Sequence, residues 1–248
     1  MITPFRDAWA TLVPDLRDRP ENRQGPLPPL LIALTVVTGL VDAFSYLVLG
    51  RVFVANMTGN VVFIAFSLAG SPGFSLAASL TALVAFAAGA LLGGRLNVRF
   101  AAHRGRLLLA AVAAEVVLVL AAYLSCLAAP HPETGHARYL LVVLLGLAMG
   151  AQNAAARRLA VPDLTTTVLT LTITGIAADS RLAGGVDSKI GRRLLSAVSM
   201  FLGALVGGLL AMHGHSALPL LLATVLLALA AAALATQARS LLPWTRAT

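Results

Sequence analysis

The sequence predicts an all-α integral membrane protein: six transmembrane helices plus two broken or re-entrant segments, arranged as two inverted-topology repeats. Hydrophobic residues fill 58% of the 248 positions, charged residues fill 11%, and the mean hydropathy is +0.88. A soluble domain carries about 25% charged residues, so this chain has too few to clothe a water-facing surface. The charges also sit in short stretches between apolar blocks, and a bilayer crossing needs roughly 20 mostly apolar residues. Two of the blocks are polar where the others are rich in leucine, and the same order of blocks occurs twice.

Residues 1–29 form a polar, proline-rich N-terminal tail without the short apolar core and small-residue cleavage site of a signal peptide. Phe5, Trp9, Leu12, Val13 and Leu16 share one helical face, which allows a short interfacial helix; Pro14 argues instead for an unstructured tail. Eight apolar segments follow, at 30–49, 52–70, 75–94, 107–129, 139–156, 164–179, 194–212 and 217–236, and a tail covers 237–248. Segment two carries Asn56, Thr58, Gly59 and Asn60. Segment six carries Thr165, Thr166, Thr167, Thr170, Thr172 and Thr174. Both are poor in leucine and rich in side chains that bond their own backbone.

Loop charges decide how many segments cross, because cytoplasmic loops hold an excess of Lys and Arg. With eight crossings and the N-terminus inside, eleven basic residues lie inside and seven outside. If segments two and six enter and leave on the same side, sixteen lie inside, and only Arg51 and Arg138 lie outside. Six crossings therefore fit the rule, and both termini become cytoplasmic.

The two halves, 30–129 and 138–236, read alike. Gly89-Ala90-Leu91-Leu92-Gly93-Gly94 parallels Gly203-Ala204-Leu205-Val206-Gly207-Gly208, and Gly39 to Ala43 parallels Gly150 to Ala154, at offsets of about 111 to 114 residues. Three crossings per half is an odd number, so the second copy is inverted. In such folds polar, discontinuous segments meet near the midplane and form a solute site. Gly89 with Gly93, and Gly203 with Gly207, are small-xxx-small pairs that bring helix backbones close. Their faces allow a homodimer.

Some residues cost too much to be filler. Asp42 lies inside the first span, where a central acid costs roughly 2.5 to 3.5 kcal/mol, so it faces the interior with partners. It either holds the broken segment through Asn and Thr contacts or binds substrate or protons. Glu115, inside segment four, pairs with a neighbouring Arg or relays protons. Segment two breaks at Thr58-Gly59-Asn60, where Gly59 accommodates an unusual backbone angle. A helix restarting at Asn60 directs free amides toward the midplane, which favours an anionic or carbonyl-bearing ligand. Gln152 and Asn153 match the Asp42 region and supply the second wall of a cavity. Arg157 and Arg158 read as interfacial anchors. The single cysteine, Cys126, excludes internal disulfides, and His213-Gly-His215 is too little for a metal site. The net charge of +8 comes without a basic stripe interleaved with aromatics, so nucleic acid is not implied.

The run Gly39 to Gly70, GLVDAFSYLVLGRVFVANMTGNVVFIAFSLAG, with GAQNAAARRLAVPDLTTTVLTLTIT at 150–174, resembles the YoaK-like bacterial membrane protein family (domain of unknown function 1275). The resemblance covers roughly 30–236 and implies a bacterial inner-membrane protein, without a substrate. This chain has Thr170-Leu171 where that family carries Thr-Gly, so no glycine role transfers there.

These readings lead to a small secondary transporter or channel for a small polar, in one reading anionic, solute. Its site lies between the two broken segments, at Asp42, Asn56, Thr58, Gly59, Asn60, Gln152, Asn153, Thr166, Thr167 and Thr170, with Asp42 and Glu115 as proton-coupling candidates. No cofactor, metal or enzyme activity is expected. The alternative is a non-transporting module that binds a lipid, a quinone or a partner protein.

Overall fold

Leu27 opens the first helix, with Pro28 and Pro29 in its first turn, where a missing N–H breaks no helical bond. The computed structural model describes residues 24–161, 169–179, 184, 190–237 and 243–245. The tail face through Phe5, Trp9, Leu12, Val13 and Leu16, and Thr165, Thr166 and Thr167, lie outside the described residues. Among the described residues eight helices follow in order: α1 (Leu27–Val48), α2 (Met57–Leu68), α3 (Leu76–Arg99), α4 (Arg104–Ala128), α5 (Gly135–Leu159), α6 (Leu169–Ala178), α7 (Ile190–Met212) and α8 (Leu218–Gln237). A short 3-10 turn, Pro243–Thr245, closes the described chain, in which there is no strand. Caps explain several boundaries. Ser75 accepts from the Ala78 amide at 3.2 Å and His103 Nδ1 from the Arg106 amide at 3.2 Å, both satisfying first-turn donors. Gly50 and Ala160 take positive φ where α1 and α5 end.

Six of these helices, α1, α3, α4, α5, α7 and α8, are long and apolar enough to cross a membrane. At 1.5 Å per residue, α2 and α6 span about 18 and 15 Å, well short of a hydrocarbon core of roughly 30 Å. The chain is thus an all-α integral membrane protein, with six helices of spanning length and two short helices among the described residues.

Helices α1 and α5 are the most buried of the six. Fully buried side chains on them, including Leu31, Leu34, Phe44, Leu141, Leu145 and Met149, form the core with Leu220 and Leu227 of α8. Leu91, Leu92, Val117, Leu205, Leu209 and Leu229 are exposed on the outside, as a bilayer-facing surface requires. α1 packs on α7 and α8, α5 packs on α3 and α4, and α4 packs on α8; α2 lies against α3, and α6 against α7. Exchanging the first four helices for the last four maps this set of contacts onto itself.

The tightest packing follows the same correspondence. A Cβ at Gly39 would collide with the Met200 carbonyl and the Ala204 amide of α7, and one at Gly150 with the Phe86 carbonyl and the Ala90 amide of α3. Gly203 closes on the Val36 carbonyl and Gly89 on the Leu147 carbonyl; Gly207 meets Leu40 and Ala43, and Gly93 meets Ala151 and Ala154. Each contact recurs at the residues shifted by the sequence offsets of 111 and 114. These glycine faces, read from sequence as close-packing seams that also permit a dimer, are occupied within the chain.

Side-chain contacts assign loops to ends. Gln24 meets Arg192 at 3.4 Å, Arg104 donates to the Leu159 carbonyl at 2.7 Å, and Trp244 sits buried against Gly25 and Gly105. At the opposite end Arg138 donates to the Gly50 carbonyl at 3.1 Å, and Arg51 lies 5.4 Å over the Phe74 ring. Among the described residues, Arg95, Arg99, Arg104, Arg106, Arg157, Arg158, Arg192 and Arg193 gather at the first end, and only Arg51 and Arg138 at the second. That is the partition of the six-crossing count. Both ends of the 49–75 excursion lie at the second end, and the C-terminus of α5 and the N-terminus of α7 at the first.

Candidate functional site

Four polar residues occupy one buried face of α1: Thr35, Thr38, Asp42 and Ser45. Their spacing of three or four keeps them in register along the helix, over a rise of about 15 Å. Thr35 and Thr38 return their hydroxyl protons to the carbonyls of Leu31 and Leu34 at 2.8 and 2.9 Å, and Ser45 donates to the Asp42 carbonyl at 3.2 Å. This satisfies the hydroxyls inside an apolar bundle.

Asp42 acts across the break. Its Oδ1 accepts the amides of Val54 and Ala55 at 3.1 and 2.9 Å, while Oδ2 is buried without a hydrogen bond among the described residues. Asn60 completes the clamp. It accepts the Phe53 amide at 3.0 Å and donates to the Phe53 carbonyl at 2.7 Å, so its amide pairs with that peptide as a neighbouring strand would. Asp42 lies six residues before the end of α1, about 9 Å below it. The chain therefore turns back along α1 before α2 begins. An aromatic cluster closes over the turn: Tyr46 stacks on Phe53 at 4.9 Å, Phe53 on Phe63 at 5.7 Å, and Phe63 meets Phe74 at 5.1 Å.

This geometry corrects the expected position of the break. The helix restarts at Met57 rather than Asn60, and Thr58, Gly59 and Asn60 are helical. The interruption lies at 49–56, because the Asp42 and Asn60 side chains bind the peptides of 53–55 and keep them from the helical pattern. Gly59 does not adopt a positive φ; a Cβ there would stand 2.7 Å from the Phe53 ring, so its role is to admit that ring. Asn60 is buried, Gly59 is half-buried, and Asn56 and Thr58 are exposed. The amides just before α2 are already engaged by Asp42, an internal carboxylate at the place assigned to an anionic ligand.

On α5, Gln152 is buried and lies 2.8 Å from Thr38 Oγ1, joining α5 to the polar face of α1. The other end of its amide faces Glu115 of α4, 2.6 Å from Oε1 and 3.2 Å from Oε2. Glu115 is wholly buried, and its polar neighbour among the described residues is this amide, not the arginine that one of its two readings called for. The structure thus joins Thr38, Gln152 and Glu115 in one chain of polar groups across three helices, with Asp42 one turn along α1 from Thr38. Asn153, at the position matching Asp42, is half-buried and donates to the Met149 carbonyl at 2.9 Å. Thr170 is exposed and Thr172 buried on α6.

Helices α2 and α6 do not touch, so the expectation that the two broken segments meet face to face is not met by their described parts. Each is held by the outer helix of its own half. Among the described residues no three His, Cys, Asp or Glu side chains cluster to hold a metal. Arg158 lines a small cleft with Phe100, Arg104 and Ala160, consistent with an anchor at the membrane surface.

The sequence profile described as a protein of unknown function, DUF1275, matches residues 30–233. The chain belongs to the DUF1275 family. A relative within reach of this DUF1275 chain is the UPF0700 transmembrane protein YoaK of Bacillus subtilis (strain 168), 35% identical over 155 residues. That match covers 60% of this chain and 65% of the relative's length. No solved structure matches the chain.

Thr35, Thr38 and Ser45 are the residues that sequence reasoning missed in this DUF1275 member. Their signal was present as polar residues at helical spacing around Asp42. The trapped Trp244 was also missed, because one tryptophan in a short tail has no pattern to mark it.

Proposed function

We propose that this DUF1275 protein is a small secondary transporter or channel of the bacterial inner membrane that moves a small polar solute through the centre of the bundle. The observation that carries this reading is the buried polar line of Asp42, Thr38, Gln152 and Glu115. Ionisable groups inside a membrane are expensive, and by default they mark a solute or proton pathway. Asn56 and Thr58, exposed beside the clamped turn, give a solute arriving from that side its first polar contacts. The matched packing of the two halves supports an inverted repeat, in which each short helix enters from a different face. The arginine-rich end supports cytoplasmic termini by the positive-inside rule. Movement is coupled to protons through the buried acid Glu115. A homodimer, if one forms, uses faces other than the glycine seams.

Uptake by purified protein in liposomes tests the proposal. A panel of small polar solutes, offered with and without an imposed pH gradient, should include one that accumulates in protein-containing vesicles and not in protein-free ones. Equal retention in both, with no proton movement, would remove the transport reading.

The second reading is a non-transporting module that binds a lipid or quinone. It draws on a different observation, an apolar groove of about 430 Å³ between α3 and α5, lined by Leu80, Val84, Ala88, Val143 and Leu147.

A further inference from the structure

We infer that Glu115 is a proton-binding site, and that the Gln152 amide and the Thr38 hydroxyl turn over when its proton leaves. The inference names the proton carrier of the proposed function and rests on that reading for coupling to solute. The proton site itself rests on hydrogen-bond geometry alone.

The geometry admits two arrangements. Thr38 donates its one hydroxyl proton to the Leu34 carbonyl at 2.9 Å, so its oxygen accepts from Gln152 Nε2 at 2.8 Å. With the amide set that way, Gln152 Oε1 faces Glu115 Oε1 at 2.6 Å; turned over, the same amide gives its NH₂ group to Glu115 Oε1 and Oε2 at 2.6 and 3.2 Å and accepts from Thr38 Oγ1 at 2.8 Å. An amide oxygen has no proton, so two oxygens at this distance are joined only if the carboxyl group supplies one.

An ionised Glu115 demands the opposite arrangement. The amide turns over to give its NH₂ group to the carboxylate, and Thr38 moves its proton from the Leu34 carbonyl to Gln152 Oε1. Each arrangement is complete in itself, and they differ by one proton. In the step between them the Glu115 O–H bond breaks, the proton passes to water or to a basic group on the solute, and the negative charge stays on the carboxylate. One protonation event on α4 is thereby tied to hydrogen bonds on α5 and α1.

Among the described residues no charged group is paired with Glu115 to stabilise the ionised form. The helix packed most closely beside α4 after α5 is α8, which has no ionisable residue, and the turn 243–245 has none. On α5 the titratable residues are His136, Arg138 and Tyr139 near one end, and Arg157 and Arg158 beyond Gln152 at the other. On α3 they are Arg95 and Arg99 at the arginine-rich end, and on α4 itself Arg104, Arg106, Tyr123 and Cys126. Among the described residues none of them forms an ion pair with the Glu115 carboxyl group. An unpaired buried charge is costly enough that such a group is neutral instead. Asp42 differs in kind: two backbone amides hold it, so it fixes the turn rather than exchanging a proton.

Infrared spectroscopy of the purified full-length protein in lipid nanodiscs tests the assignment. The chain has three glutamates, Glu21, Glu115 and Glu133, and carboxyl-¹³C glutamate labels them without any substitution. At neutral pH the labelled protein should show one carboxylic-acid C=O band that moves to lower frequency in heavy water. The band should vanish in Glu115→Gln and persist in Asp42→Asn. As pH rises it should give way to carboxylate, with a simultaneous amide change that Gln152→Leu abolishes. A labelled protein without an acid band at neutral pH, or one whose band survives Glu115→Gln, overturns the proton site. Solute uptake without the band overturns the site and leaves transport standing; the band without uptake does the reverse.

Discussion

Removing the Asp42 carboxyl group should destabilise the protein more than neutralising it. Asp42 Oδ1 is the acceptor for the Val54 and Ala55 amides at 3.1 and 2.9 Å, and Val54 and Ala55 are 0% and 3% exposed. Asp42→Ala leaves two buried amide donors unsatisfied, each costing about 1–3 kcal/mol, so together about 2–6 kcal/mol. Asp42→Asn keeps an acceptor for both amides but places an NH₂ group at the Oδ2 position, which has no acceptor among the described residues. That leaves one unsatisfied group, at about 1–3 kcal/mol. The order of stability should be wild type, then Asn, then Ala. The chain supplies its own reporter, because Cys126 is its single cysteine and is 5% exposed. Reaction of that thiol with a fluorogenic maleimide during heating in detergent follows unfolding directly. An Asp42→Ala protein that unfolds at the wild-type temperature would refute the clamp.

Other substitutions probe the same architecture. Gly39→Ala and Gly150→Ala each drive a methyl group into the backbone of a neighbouring helix, and overpacking of this kind costs about 1–3 kcal/mol or more; the two should behave alike in thermal unfolding. Gly94→Ala, which meets open space, should stay within about 0.5 kcal/mol of wild type. Asn60→Ala removes both bonds to the Phe53 peptide and should cost about 1–3 kcal/mol, and trypsin cleavage after Arg51 should speed up as the turn loosens. In a Cys126→Ala background, cysteines placed along 52–70 should react with an impermeant reagent from one membrane face only, with the end positions the most reactive.

Much of this fold was legible because a bilayer sorts residues by cost. The expected span 217–236 and the observed Leu218–Gln237 nearly coincide, since a continuous apolar run has no other stable place. The arginine partition also followed from one-dimensional information, because each loop carries its own charge. The break was harder to place. Thr58-Gly59-Asn60 has the composition of an interruption, yet the helix runs through it; what holds 53–55 out of the helix is Asp42, a side chain from an earlier element. Glu115 shows the same limit. Its burial could be anticipated from its position in a span, but its partner is Gln152, 37 residues further on, and no local pattern names it. The glycine seams were recognised as close-packing faces, while their use between the halves depends on which helices become neighbours.

The central claim, two short helices entering from opposite faces, is tested most directly by sidedness. Single cysteines can replace the exposed residues Ser71, Arg106, His136 and Ala178 in the Cys126→Ala background. An impermeant maleimide is then applied to vesicles of each orientation. Ser71 and His136 should label from one face, and Arg106 and Ala178 from the other. Labelling of Ser71 and Ala178 from the same face, with Arg106 opposite, would mean that both short segments cross, and would contradict the account.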